Sequence, residues 1–143
     1  MNDSIDPIVR ELNFTTPIEQ VWQAITDPQA VAQWFGSSAE FELIEGSLGY
    51  FAWQQECEGK FAMRIETISP PRYFVWRWMA KQDVPFDPSS STLVQWQLSS
   101  TEAKGTKLVL TESGFIQAKQ RKMNEQGWTE ELDDLTRYLQ IDN

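Results

Sequence analysis

The order of the predicted elements constrains the fold of this 143-residue chain more than any other feature of its sequence. Alternating apolar and polar residues, bounded by turn-forming residues, predict strands. Seven segments meet this description: 8–14, 40–43, 48–54, 60–68, 73–79, 92–99 and 106–112. Two short helices separate the first strand from the other six, and one long helix follows the last strand.

Helix-start signals define the two short helices. Thr16 is a predicted cap, with Pro17 at the first helical position and Glu19 completing a capping box. An Asp-Pro pair at 27–28 repeats the cap-plus-proline signal, and the second helix ends just before Gly36. Both helices therefore lie between the first predicted strand and the second.

The long helix, predicted over 117–140, has a single apolar face, formed by Trp128, Leu132, Leu135 and Leu139. The sheet also has one apolar face to bury, so the two elements should pack together. This order predicts an α+β fold, β-α-α-β-β-β-β-β-β-α, in one domain over residues 1–143. A curved antiparallel sheet of six to seven strands wraps around the C-terminal helix in this fold.

Seven tryptophans in a chain of this size indicate an interior that is only partly filled. A core built for compactness would favour Leu, Ile and Val, because indole is bulky and its N–H needs a partner when buried. We predict a cavity between sheet and helix, and expect Trp76→Ala or Trp96→Ala to cost less than about 3–5 kcal/mol. The predicted lining residues are Trp34, Trp53, Met63, Trp76, Trp78, Trp96, Glu112 and Asn124.

Glu112 is the ionisable residue with the strongest case for a functional role. Alternation along the last strand turns it inward with Leu108 and Leu110, where it could anchor the amine or hydroxyl of a ligand. The alternative is that Glu112 accepts backbone N–H groups of the following turn or caps the next helix. Asn124, Arg121 and Glu125 form either a polar rim of the cavity or an ordinary solvent-exposed helix face.

Composition excludes several classes of function. The chain has no histidine and a single cysteine, Cys57, so histidine-based triads and His or Cys metal sites are ruled out, and we predict no metal and no cofactor. A net charge of −9 opposes binding to nucleic acid. We expect no membrane span and no signal peptide, because a long apolar run and a basic N-terminal region are both missing. The expected location is the cytoplasm.

Four segments resemble the family named for an activator of the heat-shock chaperone ATPase, within the START and pollen-allergen-like superfamily. They are Pro17–Pro28 with Trp34-Phe35, Ile68–Phe74, Glu112–Phe115, and Gly127-Trp128 followed by Leu132 and Leu135. The resemblance implies a helix-grip fold. It also implies a choice of functions, because the superfamily includes lipid carriers, hormone receptors, cyclases and co-chaperones.

Three functions remain open, and the oligomeric state is not predicted. The first is binding or carriage of a small hydrophobic molecule in the aromatic cavity, with a link to stress suggested by the family name. The second is a co-chaperone-like role in which a surface binds a chaperone. The third is a cyclase or hydrolase with Glu112 as acid or base. The enzyme ranks last because the sequence contains no visible nucleophile–base pair.

Overall fold

The computed structural model describes residues 5–36, 38–53 and 59–141. Cys57 and its neighbouring glutamates lie outside these ranges. Seven strands are present: β1 (Ile8–Phe14), β2 (Ser38–Glu40), β3 (Leu48–Ala52), β4 (Lys60–Ser69), β5 (Tyr73–Met79), β6 (Ser91–Ser100) and β7 (Thr106–Ser113). The helices are α1 (Ile18–Thr26), α2 (Pro28–Trp34) and α3 (Ala118–Ile141), and a short 3-10 turn covers Pro88–Ser90.

All seven strands form one antiparallel sheet in the order β1-β7-β6-β5-β4-β3-β2. The predicted α+β helix-grip fold is confirmed, with α3 packed against the sheet. The register brings inward-facing residues of neighbouring strands together, with Trp76 of β5 opposite Ile65 of β4 and Val94 of β6. Val94 lies in turn opposite Glu112 of β7. The middle of the sheet therefore combines large apolar residues with one carboxylate.

The predicted strand at 40–43 is wrong in position, because β2 covers Ser38–Glu40 instead. Phe41 is buried beside Gly49, where even a Cβ would be only 2.7 Å from the Phe41 Cβ. The chain then leaves the sheet, and Ile44 donates its backbone N–H to Glu42 in a turn. The alternation at 40–43 thus reflects one buried phenylalanine at the end of a short strand.

The helix starts differ slightly from prediction. Pro17 takes the N-cap position of α1, so that helix begins one residue later than predicted. Asp27 caps α2 as predicted, since its Oδ1 accepts the backbone N–H of Gln29 at 3.0 Å. No helix within the described ranges is long and apolar enough to cross a membrane.

The apolar stripe of α3 is buried as predicted, with Trp128, Leu132, Leu135 and Leu139 all in the core. They pack with residues of α1, α2 and the concave face of the sheet in one continuous cluster. The C-terminal half of α3 therefore covers the sheet. The position of the N-terminal half determines where an opening remains.

Candidate functional site

The centre of the sheet is a closed aromatic core. Trp76 and Trp96 are 1% and 0% exposed, and their ring centroids lie 5.8 Å apart. Trp34 packs edge-on against Trp96 at 6.0 Å, and Phe35 lies 5.9 Å from Trp76. The two residues that end α2 thus cover the central indoles and leave them no free surface.

Glu112 lies in this core with no exposure to solvent and is held by four side chains. Its Oε2 accepts the indole N–H of Trp78 at 2.8 Å and the hydroxyl of Thr92 at 2.6 Å. Its Oε1 accepts the indole N–H of Trp128 at 2.8 Å, and the Asn124 amide donates to both oxygens at 3.0 Å. These donors come from β5, β6 and α3, so the carboxylate ties three elements together.

A cavity of about 550 Å³ lies beside this core, between α3 and the ends of α2, β3 and β5. Its mouth is at the surface, since Met123 on its rim is 58% exposed. Six of its described lining residues are aromatic, and the polar lining residues come mainly from α3. The lining residues used below are Trp34, Phe35, Trp53, Phe61, Trp78, Asn124, Gly127, Trp128, Glu130, Glu131 and Asp134.

Phe35 and Gly36 set the inner wall of this cavity. The Phe35 ring stacks on Trp128 at 5.5 Å and contacts Trp53 at 5.0 Å, which separates the cavity from the core behind it. Gly36 has a φ of +75°, a conformation that favours glycine. A Cβ at Gly36 would lie 2.7 Å from the Ala52 carbonyl oxygen and 2.9 Å from the Trp53 ring. Glycine therefore permits the close approach of Trp53.

Glu131 is one of three carboxyl groups that line this cavity, with Glu130 and Asp134, and it differs from Glu112 in its partners. Its Oε1 accepts the indole N–H of Trp53 at 3.0 Å, while no group among the described residues donates to its buried Oε2 in hydrogen-bond geometry. Burial raises the pKa of Glu131 to about 7, reinforced by the charges of Asp134 and Glu130 and opposed by the N–H groups of Trp53 and Gly36. Such a carboxyl can hold a cation or exchange a proton near neutral pH.

The predicted lining residues divide into two groups. Trp34, Trp53, Trp78 and Asn124 line the cavity. Met63, Trp76, Trp96 and Glu112 lie in the core and do not line this cavity, and ligand binding by any of the eight residues stays a prediction. Each of these four is at most 1% exposed, and Trp34 and Phe35 cover the two tryptophans.

The structure also shows which partners Glu112 has and which polar residues of α3 lie at the cavity. The hydrogen bonds described for Glu112 come from side chains, rather than from the turn after β7 as the alternative held. Arg121 binds the backbone oxygens of Asp6 and Pro7 and pairs with Glu125, so this pair secures the N-terminal segment and does not line the cavity. Asn124 lines the cavity and holds Glu112.

Glu131 was not identified from the sequence, although a signal was present. It follows Asn124 by seven residues, or two helical turns, and therefore lies on the same face of α3. Residues that precede Trp128 on α3 lead to Arg121, whereas Glu131 lies in the other direction, three residues after Trp128. Among the described residues, no group of three or more Asp, Glu, His or Cys side chains is placed to hold a metal ion.

Solved structures share this fold. DynU16, a protein of the dynemicin biosynthetic locus, has a TM-score of 0.80 at 22% identity over 97% of this chain and 49% of its own, so this chain spans about half its length. MLL2253 from Mesorhizobium loti has a TM-score of 0.80 at 22% identity over 96% and 99%. The Aha1 dimer from Colwellia psychrerythraea has 0.77 at 18% over 96% and 98%. A search of curated proteins found no match.

A family model gives the more specific relationship. The model described as "Activator of Hsp90 ATPase homolog 1-like protein" matches residues 15–140, from just before α1 to the last turn of α3. The match includes every residue that lines the cavity and every donor to Glu112. With this sequence match and the shared helix-grip fold, the chain belongs to the activator of Hsp90 ATPase homolog 1-like family.

Proposed function

We propose that this protein binds a small, largely apolar molecule in the cavity between α3 and the open end of the sheet. The observation that carries the proposal is the cavity of about 550 Å³ with indole rings in its wall. Small-molecule sites in proteins commonly enclose about 300–1,000 Å³ and combine apolar walls with a few polar groups. Burial of apolar ligand surface against Trp53, Trp78 and Trp128 would supply the affinity.

Hydrogen bonds within the protein hold the tryptophans of the wall in place, which favours binding. Trp78 and Trp128 are fixed through their N–H bonds to Glu112, and Trp53 through its bond to Glu131. Trp34 donates its N–H to the Ala24 carbonyl oxygen at 2.8 Å. A preformed wall avoids the entropic cost of ordering side chains when the ligand binds.

Gly127 offers a direct test, because it lines the cavity and a Cβ there would meet no atom within 4 Å. Gly127→Leu should fill part of the cavity, because its Cβ would enter open space. We expect native mass spectrometry of freshly purified wild-type protein to detect a retained small molecule that Gly127→Leu lacks. Tryptophan fluorescence should also respond to members of a panel of apolar compounds in the wild type and not in this variant.

Gln126→Leu is the matched control, since Gln126 is exposed on the same helix and does not line the cavity. It adds the same side chain to α3 and should bind as the wild type does. Equal binding by Gly127→Leu and the wild type would place any ligand elsewhere. A wild type with no retained molecule and no fluorescence response would contradict the proposal.

A second candidate function is docking of a partner protein such as a chaperone, as the family description suggests. The supporting observation is apolar exposure at the β2–β3 connection, where Leu43, Ile44 and Leu48 are 40%, 58% and 63% exposed. In a pull-down with purified chaperone, Leu48→Ser should then reduce capture while Gly127→Leu does not. The reverse pattern would assign the activity to the cavity.

A further inference from the structure

We infer that the molecule bound in this cavity is an organic cation, an ammonium group joined to an apolar body, and that Glu131 is its counter-ion. This inference rests on the proposed function and adds the chemical class of the ligand. Three independent features of the wall support it: the sign of its charges, the incomplete hydrogen bonding of Glu131, and its aromatic rings.

The charged residues that line the cavity are all acidic. Glu130, Glu131 and Asp134 come from α3, and the lining residues contributed by α2, β3, β4 and β5 are uncharged within the described ranges. No lysine or arginine is among the described lining residues to balance these carboxylates. An anionic ligand would be repelled by these carboxylates, and a cation would be attracted to them.

Glu131 is less completely hydrogen-bonded than Glu112. Trp53 donates to its Oε1, whereas no group among the described residues donates to its Oε2 in hydrogen-bond geometry, although the Gly36 N–H also acts on this carboxyl. A buried carboxylate oxygen that accepts no hydrogen bond is costly, and an ammonium N–H or a nearby positive charge would remove that cost. Glu112 cannot take this role, since Trp78, Thr92, Asn124 and Trp128 already occupy its oxygens.

The aromatic wall suits a cation as well as an apolar body. Trp53, Trp78 and Trp128 line the cavity together with Phe35 and Phe61. The faces of such rings carry partial negative charge and attract alkylated ammonium groups. Tryptophan attracts them more strongly than tyrosine or phenylalanine does. An aromatic wall beside a carboxylate therefore selects a cation over a neutral molecule of equal shape.

The test uses three probes of similar shape: phenyltrimethylammonium, its uncharged carbon analogue tert-butylbenzene, and the anion benzenesulfonate. Binding is followed by tryptophan fluorescence in wild type, Glu131→Gln and Asp133→Asn. The last is a charge-matched control, because Asp133 is exposed on α3 and does not line the cavity. We expect the wild type and Asp133→Asn to bind the cation about tenfold more tightly than the neutral probe. Glu131→Gln should lose this preference.

The pH dependence gives a second readout, because phenyltrimethylammonium does not titrate. The charged groups that share the cavity with Glu131 are Glu130 and Asp134 of α3, and Trp53 and Gly36 supply N–H groups. Affinity for the cation should rise as pH increases through about 7, the pKa of Glu131, and level off above it. Glu131→Gln should remove most of this rise.

The outcomes separate the two proposals. Equal binding of the neutral and cationic probes by the wild type, or a cation preference that survives in Glu131→Gln, would overturn the inference and leave the proposed function standing. Preference for benzenesulfonate would overturn the inference in the same way. Failure of all three probes to bind would contradict the proposed function and this inference together.

Discussion

Glu112 and Glu131 differ in how completely the fold satisfies them. Glu112, in the centre of the core, receives hydrogen bonds from four side chains on three elements. Glu131, two helical turns beyond Asn124, is only partly buried; its Oε1 accepts one indole N–H, and no described group donates to its Oε2 in hydrogen-bond geometry. The first carboxylate stabilises the junction of sheet and helix. The second lies in the wall of the cavity.

The aromatic residues of the core and of the cavity differ in their exposure to solvent. Trp76 and Trp96 are covered on all sides by other rings, whereas Trp53 and Trp78 are partly exposed beside the cavity. We therefore propose that the first pair contributes to stability and that the second contacts the ligand.

Truncation of a core tryptophan should have the largest effect. Trp76→Ala and Trp96→Ala should each lower the free energy of unfolding by about 3–5 kcal/mol, the full cost at packed aromatic sites. Trp53→Ala should cost less, about 1–2 kcal/mol, because its ring already borders open space. Denaturant unfolding measures all three. These values replace the smaller cost expected from sequence for Trp76 and Trp96, and similar losses at Trp76 and Trp53 would erase the distinction.

Glu112→Gln should cost about 2–4 kcal/mol. Whichever way the new amide is turned, its NH₂ group faces an indole N–H, from Trp78 or from Trp128, that cannot accept a hydrogen bond. Thermal and denaturant unfolding at neutral pH would measure the loss. A change below about 1 kcal/mol would mean that the four donors do not define a carboxylate site.

Glu131→Gln should act in the opposite direction and depend on pH. Burial raises the pKa of Glu131 from 4.5 to about 7, so the folded state holds this proton more tightly than the unfolded chain. Between these values the wild type loses stability as pH rises, and above about 7 the loss is complete. Solvent screening of the partly exposed carboxyl limits it to about 2 kcal/mol.

The measurement for Glu131 is the difference in unfolding free energy between wild type and Glu131→Gln across that pH range. The variant should match the wild type near pH 4.5 and exceed it by about 2 kcal/mol above about 7. Asp133→Asn controls for the loss of one charge from α3. A pH-independent difference would show that Glu131 is as well satisfied as Glu112.

The smallest effect is expected at Gly127. Gly127→Ala should stabilise the protein by about 0.5–1 kcal/mol, because alanine favours helix and its Cβ would meet no atom within 4 Å. Thermal unfolding is the measurement, and Gln126→Ala is a control on the exposed side of α3. Destabilisation by Gly127→Ala would indicate that the space beside it is filled.

The fold could be predicted from sequence because its signals are local. Strand alternation, the cap at Asp27 and the stripe from Trp128 to Leu139 each depend on residues close in sequence. The short β2 is displaced from its predicted position because one buried residue, Phe41, mimics a longer alternation, and α1 begins one residue later than predicted.

The site could be predicted only in part. The alternation of residues predicts on which face of a strand a side chain lies, but it does not predict how deeply that position is buried. Trp76 and Trp78 share a face of β5, yet Phe35 and its neighbours cover the first and leave the second beside the cavity. The position of Phe35 depends on the tertiary packing of α2. The donors to Glu112 likewise come from elements distant in sequence, which local patterns do not reveal.

The most direct test of the central claim is the set of indole N–H signals in a ¹⁵N–¹H NMR spectrum, assigned by Trp→Phe variants, during titration with phenyltrimethylammonium. The division into closed core and open cavity predicts shifts at Trp53, Trp78 and Trp128, with Trp76, Trp96 and Trp22 unchanged. The largest shifts at Trp76 or Trp96 would contradict the account. So would a spectrum in which no indole responds.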